Sequence, residues 1–314
     1  MSLRDLEKNN FDIVQYKVLR DITYLVQDSV NSKYILKLSK CPENIFQRLI
    51  EYILKTNLKF KIELEWYKSF ADASFRFFGV PKLIYTDSTN FMLLEYLEEA
   101  DAGFHNISNY QQYTAALAEF QTSRIETKLS LLERIITRSL YSPTSIILRK
   151  LKTLSKQHFS LCLKIIAVIV MCNLKQEKFL NKIVVHNDVI DNVLTKATGN
   201  LYFIDFAYTV VTPKWLLIDI IEPALDLNTF SIDKQLLTFY LHSLNKENLI
   251  SEHIDYYAQF RMALLYRTVN SVHSGSTEVK SKCISFIKNQ LLNDTNYKKW
   301  YSRNAEPIVQ NALS

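Results

Sequence analysis

The sequence predicts an α+β protein in two lobes, a small β-rich N-lobe over residues 1–98 and a larger, mainly helical C-lobe over residues 99–314. Three observations carry that prediction. The chain has 314 residues, enough to bury two separate cores. Its first 97 residues alternate β-rich runs with helical patterns, whereas helical spacing dominates after Glu98-Glu99-Ala100-Asp101, broken only by apolar runs at 183–205. Only four glycines are present, Gly79, Gly103, Gly199 and Gly275, which favours long helices and few tight turns.

The elements follow in order. Tyr16–Val26 and Tyr34–Leu38 are two β-rich runs around Asp28-Ser29-Val30-Asn31-Ser32, a hairpin with a polar turn. Pro42-Glu43-Asn44 opens a helical pattern through Ile45, Leu49, Ile53 and Leu54, because proline suits a first helical turn. Helical spacing recurs from Ile62 to Phe70. Pro81–Tyr85 and Phe91–Tyr96 read as two further strands around Asp87-Ser88-Thr89-Asn90. A lobe boundary falls near 97–103. Beyond it, Tyr110–Gln121, Leu129–Leu140, Ile146–Ser155 and Phe159–Leu174 read as helices. Helical pattern returns from Trp215 onward, notably over Ile254–Val272 and Val279–Leu292.

Composition is that of an ordinary globular chain, 48% hydrophobic and 22% charged. The glycine positions exclude both GxGxxG and GxxxxGK[ST] nucleotide motifs. A net charge of +6 fits phosphate-bearing ligands and also plain solubility, and no basic cluster interleaved with aromatics points to nucleic acid. Cys41, Cys162, Cys172 and Cys283 are scattered without a CxxC pair, so neither a zinc site nor a disulfide framework is expected, and a cytoplasmic protein is. The polar start MSLRDLEKNNFD carries no signal-peptide pattern. The apolar run Leu161–Cys172 is too short to span a bilayer and is interrupted by Lys164, so it reads as a buried helix and no membrane span is expected. No feature of the sequence specifies an oligomeric state.

The most informative stretch is 184–207, VVHNDVIDNVLTKATGNLYFIDFA. His186-Asn187-Asp188 is followed by Asn192, and Ile204-Asp205-Phe206 ends a second apolar run. Short strands holding two loops side by side can gather Asp188, Asn192 and Asp205 around one point. Phosphoryl transfer from a nucleotide needs such a set, a carboxylate near the attacking hydroxyl and oxygen ligands for Mg²⁺. These residues resemble the catalytic and metal-binding segments of the protein-kinase-like fold. They are most similar to the aminoglycoside phosphotransferase and choline kinase branch, where HxD is followed by an Asn and then by IDF or IDW.

The resemblance implies the order hairpin, helix, hairpin in the N-lobe and a nucleotide held between lobes, against the connecting strand. It implies that Asp188 is catalytic and accepts or orients the acceptor hydroxyl, with His186 bracing the loop. Asn192 and Asp205 would bind Mg²⁺. Lys37, within the apolar run 34–38, would anchor the phosphates of ATP. Glu63 or Glu65 would pair with Lys37, and the family's ExxxY helix favours Glu63. Glu95 and Leu97 would offer backbone groups to adenine. The phosphate-covering loop would be 20–23 or 28–32. Asp219 resembles the family's helix-start aspartate, mainly structural there, while Glu222 and Asp226 either line the acceptor cleft or belong to a solvated helix face.

One departure sits at the centre of the motif. The family has four residues between the catalytic Asp and the Asn, whereas Asp188 and Asn192 enclose only Val189, Ile190 and Asp191. That removes roughly 3.3 Å of chain reach, and Mg²⁺ tolerates little distortion. Either Asn192 stays on the metal, or Asp191 supplies the oxygen, or the metal site is weak. The expectation is therefore an ATP- and Mg²⁺-dependent kinase acting on a small-molecule hydroxyl of sugar, aminoglycoside or amino-alcohol type. The alternative is a catalytically weak or inactive pseudokinase binding nucleotide or protein. A protein kinase ranks below both, since no APE-like segment or long activation loop follows Asp205.

Overall fold

The structure is a computed structural model that describes residues 12–20, 22–39, 48, 57–71, 73–98, 100–102, 109–123, 127–175, 183–189, 191–196, 198–212, 215–247, 249 and 254–313. The expected helix over 45–54, the residues Cys41 and Asp21, and the Pro213-Lys214 pair lie outside them, Arg48 of that helix excepted. The expected mixture of a β-sheet N-terminal region and a helical C-terminal region is what the chain forms.

The chain divides into two compact units. The first comprises Met1–Ala102, Arg124–Ile135 and Asn192–Tyr208, and the second Gly103–Ser123, Ile136–Asp191 and Thr209–Ser314. The units therefore interleave along the chain. The boundary between Asp191 and Asn192 runs through the segment expected to carry the chemistry.

The first unit is built on a five-stranded antiparallel sheet in the order β1-β2-β3-β6-β5, where β1 is Ile13–Arg20, β2 Thr23–Asp28, β3 Lys33–Leu38, β5 Leu83–Thr86 and β6 Phe91–Glu95. The run 16–26, expected as one strand, is two strands that turn back on themselves between Arg20 and Thr23. A turn without glycine left no signal in the sequence. Val26, Leu36, Phe91 and Leu93 form the buried centre of the sheet, with Tyr24, Tyr34 and Tyr85 packed against it. The β5–β6 turn is closed by Asp87, whose Oδ1 accepts from the backbone N–H of Thr89, Asn90 and Phe91, and Ser88 takes φ 70° there.

Helix α1, Leu58–Ala71, begins where the Asn57 side chain accepts from the Phe60 N–H. A second sheet in the same unit has the order β4-β10-β9-β7, with β4 Phe78–Gly79, β7 Ala100–Ala102, β9 Val193–Lys196 and β10 Leu201–Phe203. A 3₁₀ turn, Phe206–Tyr208, follows β10. Phe206 is wholly buried, its ring 4.9 Å from Phe70, 5.2 Å from Tyr67 and 6.5 Å from Trp66, all on α1. Such ring pairs add specific geometry to the area they bury.

The second unit is mostly helical. Its helices are α2 Tyr110–Thr122, the later part of α3 Leu131–Tyr141, α4 Pro143–Lys175, α5 Ile218–Ala224, α6 Lys234–Lys246, α7 Tyr256–Ser274, α8 Thr277–Phe286, α9 Asp294–Asn304 and α10 Glu306–Leu313. Side chains set the helix starts: Asn109, Asp233, Asp255, Ser276 and Asn293 each accept the backbone N–H three residues on. α4 is the two expected helices joined at His158, which has non-helical φ −140° and ψ 53°. Strand β8, Ile183–Val185, is fully buried and pairs antiparallel with β11, Val210–Thr212.

The stretch 161–172 corrects one expectation. Leu161, Ile165, Val168, Ile169 and Cys172 are buried, but Leu163, Ile166, Val170 and Met171 are exposed, so the helix is buried on one face only. Apolar residues on both faces hid the helical periodicity of burial.

Truncating the ring that anchors the 3₁₀ turn tests this packing. Phe206→Ala should lower stability by about 3–5 kcal/mol in denaturant unfolding, and Phe206→Leu by much less. A loss below about 1 kcal/mol for Phe206→Ala would show that the ring cluster does not hold the turn against α1.

Candidate active site

In the first unit, three of the sequence-predicted residues meet at one point. Lys37 is on β3, Glu63 on the first half of α1, and Asp205 just beyond β10. Lys37 Nζ lies 2.5 Å from Glu63 Oε1 and 3.6 Å from Asp205 Oδ1. Glu65, the other candidate, pairs instead with Lys68 at 3.1 Å. The ladder explains why Lys37 can reach α1. Alternation along β3 places Leu36 in the sheet core, so Lys37 leaves the opposite face.

A buried ammonium needs opposite charge. Burial works against the Lys37 charge, but the Glu63 and Asp205 carboxylates outweigh it and hold its pKa above the ordinary lysine value. Lys37 is therefore a fixed cation. Tyr67 packs beside it, and its hydroxyl accepts from the Asp205 N–H at 3.4 Å. Burial is the main reason that the Tyr67 hydroxyl stays protonated well beyond the usual tyrosine range.

Asp205 has φ 57°, a left-handed conformation uncommon for residues other than glycine. The following Phe206 is pinned in the aromatic cluster, which makes that conformation sustainable. The Asp205 side chain remains 37% exposed, so its carboxylate is open to a ligand. Asn192 leads into β9. Its carbonyl accepts from the Ile204 N–H at 3.0 Å, next to the Val193–Phe203 pair of the ladder. Asn192 and Asp205 thus leave the same end of the β9–β10 hairpin. Asn192 is buried and Asp191 is exposed. Among the described residues no group of three or more His, Cys, Asp or Glu side chains is placed to hold a metal.

Register also separates the two candidate phosphate loops. Thr23 pairs with Lys37, and Gln27 with Lys33. The 20–23 turn therefore sits at the Lys37 end of the sheet, and the 28–32 turn at the far end. Glu95 ends β6, its N–H donating to the Lys82 carbonyl at 2.9 Å. Leu97 follows two residues later and is buried.

In the second unit, β8 delivers His186, Asn187 and Asp188 from a buried strand. Backbone groups on both sides of Asp188 are clamped by carboxylates. Asp219, fully buried at the start of α5, accepts from the His186 and Asn187 N–H groups, each at 2.9 Å. Glu222, one turn further on, accepts from the Val189 N–H at 3.1 Å. The Asn187 carbonyl accepts from the Tyr266 hydroxyl at 2.6 Å, and its side-chain amide donates to the Tyr141 carbonyl at 3.1 Å. Asn187 has φ 70°. Asp188 itself is half-buried, with firmly held chain before and after it. The His186 ring packs 5.9 Å from the Phe120 ring.

Glu222 and Asp226 part company. Glu222 is buried, ion-paired to Arg267 at 3.3 Å, and pushed up to about 7 by burial, with the Asp188 carboxylate adding to the shift and Arg267 opposing it. Asp226 is exposed and closes a local turn by accepting from Asn228 N–H and Thr229 Oγ1. Lys150 on α4 is half-buried. Desolvation lowers its pKa, while Asp188 and Glu222 pull it back. Sequence reasoning missed Arg267, Lys150 and the clamping role of Glu222. The available signal was a pair of carboxylates three residues apart in the otherwise apolar segment Trp215–Ala224.

No family model matches the sequence, and no curated protein matches it. Solved structures do match. An ethanolamine kinase from Plasmodium vivax aligns over 91% of this chain and 84% of its own at 13% identity, with a TM-score of 0.60. The gentamicin complex of APH(2'')-IIa aligns over 92% and 97% at 16% identity and a TM-score of 0.59. The streptomycin–ATP ternary complex of APH(2'')-IIa aligns over 93% and 97% at 15% identity and a TM-score of 0.57. At these identities the likeness establishes the fold: the chain has the protein-kinase-like fold of small-molecule kinases.

Proposed function

We propose that this protein is an ATP-dependent phosphotransferase that moves the γ-phosphoryl group to a hydroxyl of a small molecule. The single observation that carries the reading is the Lys37–Glu63–Asp205 cluster. A permanently charged lysine and an accessible carboxylate are what a magnesium-bound polyphosphate requires. Lys37 would draw on the phosphates, with Glu63 holding the amine in place. Asp205 and Asn192 would supply oxygens to Mg²⁺, which when bound neutralises charge on the phosphates. Glu95 and Leu97 would offer backbone groups to the base, and the 20–23 turn would cover the phosphates.

Asp188 would accept or orient the acceptor hydroxyl proton. Its flanking amides are fixed by Asp219 and Glu222, so little reorganisation is left for the reacting state. The Lys150 ammonium, which interacts with the Asp188 carboxylate, favours a neutral or anionic polyol over a polycation. A cytoplasmic setting, where ATP is abundant, suits the activity. The pseudokinase reading rests on the missing residue between Asp188 and Asn192 and on the absence of a glycine-rich phosphate loop from the sequence.

Two outcomes are expected. Asp188→Asn should lower phosphotransfer by about 10²–10⁴-fold while nucleotide affinity stays unchanged, measured by turnover and by calorimetry. Turnover equal to wild type would remove Asp188 from the reaction, and no turnover by wild type across polyol, aminoglycoside and amino-alcohol panels would favour the pseudokinase. The Glu222 clamp has a pH signature. Its folded pKa, about 7, lies above the ordinary 4.5, so its contribution is complete below the ordinary value and is lost as pH rises through 7. Between pH 4.5 and 8 the wild type should lose on the order of 3 kcal/mol more stability than Glu222→Gln. Parallel stability curves would contradict the buried-carboxylate account.

A further inference from the structure

Helix α4 carries an exposed apolar stripe that the phosphotransfer reading does not use. Phe159, Leu163, Ile166, Val170 and Leu174 recur at spacings of four, three, four and four, and each is between 38% and 81% exposed. At 3.6 residues per turn they fall on one face, over a length of about 22 Å. The opposite face, Leu161, Ile165, Val168, Ile169 and Cys172, is buried, and α4 packs on α7. Contiguous exposed apolar surface of this kind marks an interaction site.

Charge selects the occupant. Beyond the bend at His158, α4 carries Lys164 and Lys175 and no Asp or Glu. A second copy would bring two such helices together, like charge against like. The stripe is almost wholly aliphatic, without the Tyr, Trp and Arg anchors that dominate protein interfaces. Lys164 and Lys175 are exposed and lie on one flank of the stripe, about 120° and 140° around the helix from its centre, at the edge of the exposed surface. From there their ammonium groups can reach outward while their stems follow apolar surface. A basic flank beside an aliphatic face is the pattern of a helix lying in the headgroup region of an anionic membrane. His158–Lys175 is also long and apolar enough to cross a membrane by length and composition. Crossing would require stripping the buried face from α7, so lying on the surface is the arrangement that keeps the core.

We propose that α4 docks this protein onto an anionic lipid surface, with Phe159, Leu163, Ile166, Val170 and Leu174 facing the acyl boundary and Lys164 and Lys175 facing the headgroups. The test is flotation of the full chain with vesicles of phosphatidylcholine alone and of phosphatidylcholine mixed with phosphatidylglycerol. The protein should float with the mixed vesicles and not with the neutral ones, and binding should weaken as salt rises. Leu163→Ser with Val170→Ser should cut partitioning tenfold or more, and Lys164→Gln and Lys175→Gln should cut it about fivefold each. Both changes are on the surface, so the thermal midpoint should stay at the wild-type value. Wild type that floats with neither vesicle, or variants that float like wild type, would overturn the proposal. So would a concentration-dependent dimer in light scattering that the double Ser variant abolishes, since the stripe would then be covered by a second copy. Nucleotide is absent from every arm, so the result is independent of catalysis.

Discussion

The buried ammonium of Lys37 is the constraint on which the first unit depends. A lysine leaving the non-core face of β3 cannot stay charged under α1 unless carboxylates come to it. Glu63 comes from α1 and Asp205 from the end of β10, so the charge ties the five-stranded sheet, the helix and the β9–β10 hairpin to one another. The aromatic cluster of Trp66, Tyr67, Phe70 and Phe206 does the complementary work, fixing the residue after Asp205 so that its left-handed backbone is sustained. Charge and packing therefore converge on one partly exposed carboxylate.

The second unit solves a related problem differently. The His186, Asn187 and Val189 amides after β8 lie outside a strand ladder, yet these residues are buried and their amides need acceptors. Two carboxylates, Asp219 and Glu222, supply them. Burial in turn lifts the Glu222 pKa and makes it sensitive to the charge on Asp188. The half-buried Asp188 thus sits in a loop whose position is set by neighbours and whose charge is felt by Glu222 and Lys150.

Much of this was legible in the sequence because its signals are local. The β-rich run at 34–38, helical spacing over 62–70 and the apolar runs around 183–205 located the elements that carry Lys37, Glu63, Asp188 and Asp205. Signals that depend on tertiary context were not legible. The turn between Arg20 and Thr23 contains no glycine, so two strands read as one. The exposed face of α4 is as apolar as its buried face, so composition could not tell which side meets the core. Glu222 and Asp226 look alike in sequence, yet one is buried against a loop amide and the other closes a surface turn. The interleaving of the two units follows from strand pairing between 100–102, 193–196 and 201–203, which no local pattern specifies.

The account stands or falls on whether Lys37, Glu63 and Asp205 receive a magnesium-bound nucleotide. The most direct measurement is the thermal unfolding midpoint of wild type and Asp205→Ala, each with and without Mg²⁺ and ATP. A ligand that binds only the folded state adds about 2.7 kcal/mol of stability at a hundredfold excess over its dissociation constant. The account predicts a Mg²⁺-dependent rise for wild type that Asp205→Ala loses. A rise that persists in Asp205→Ala, or no rise in wild type with any nucleotide, would contradict it.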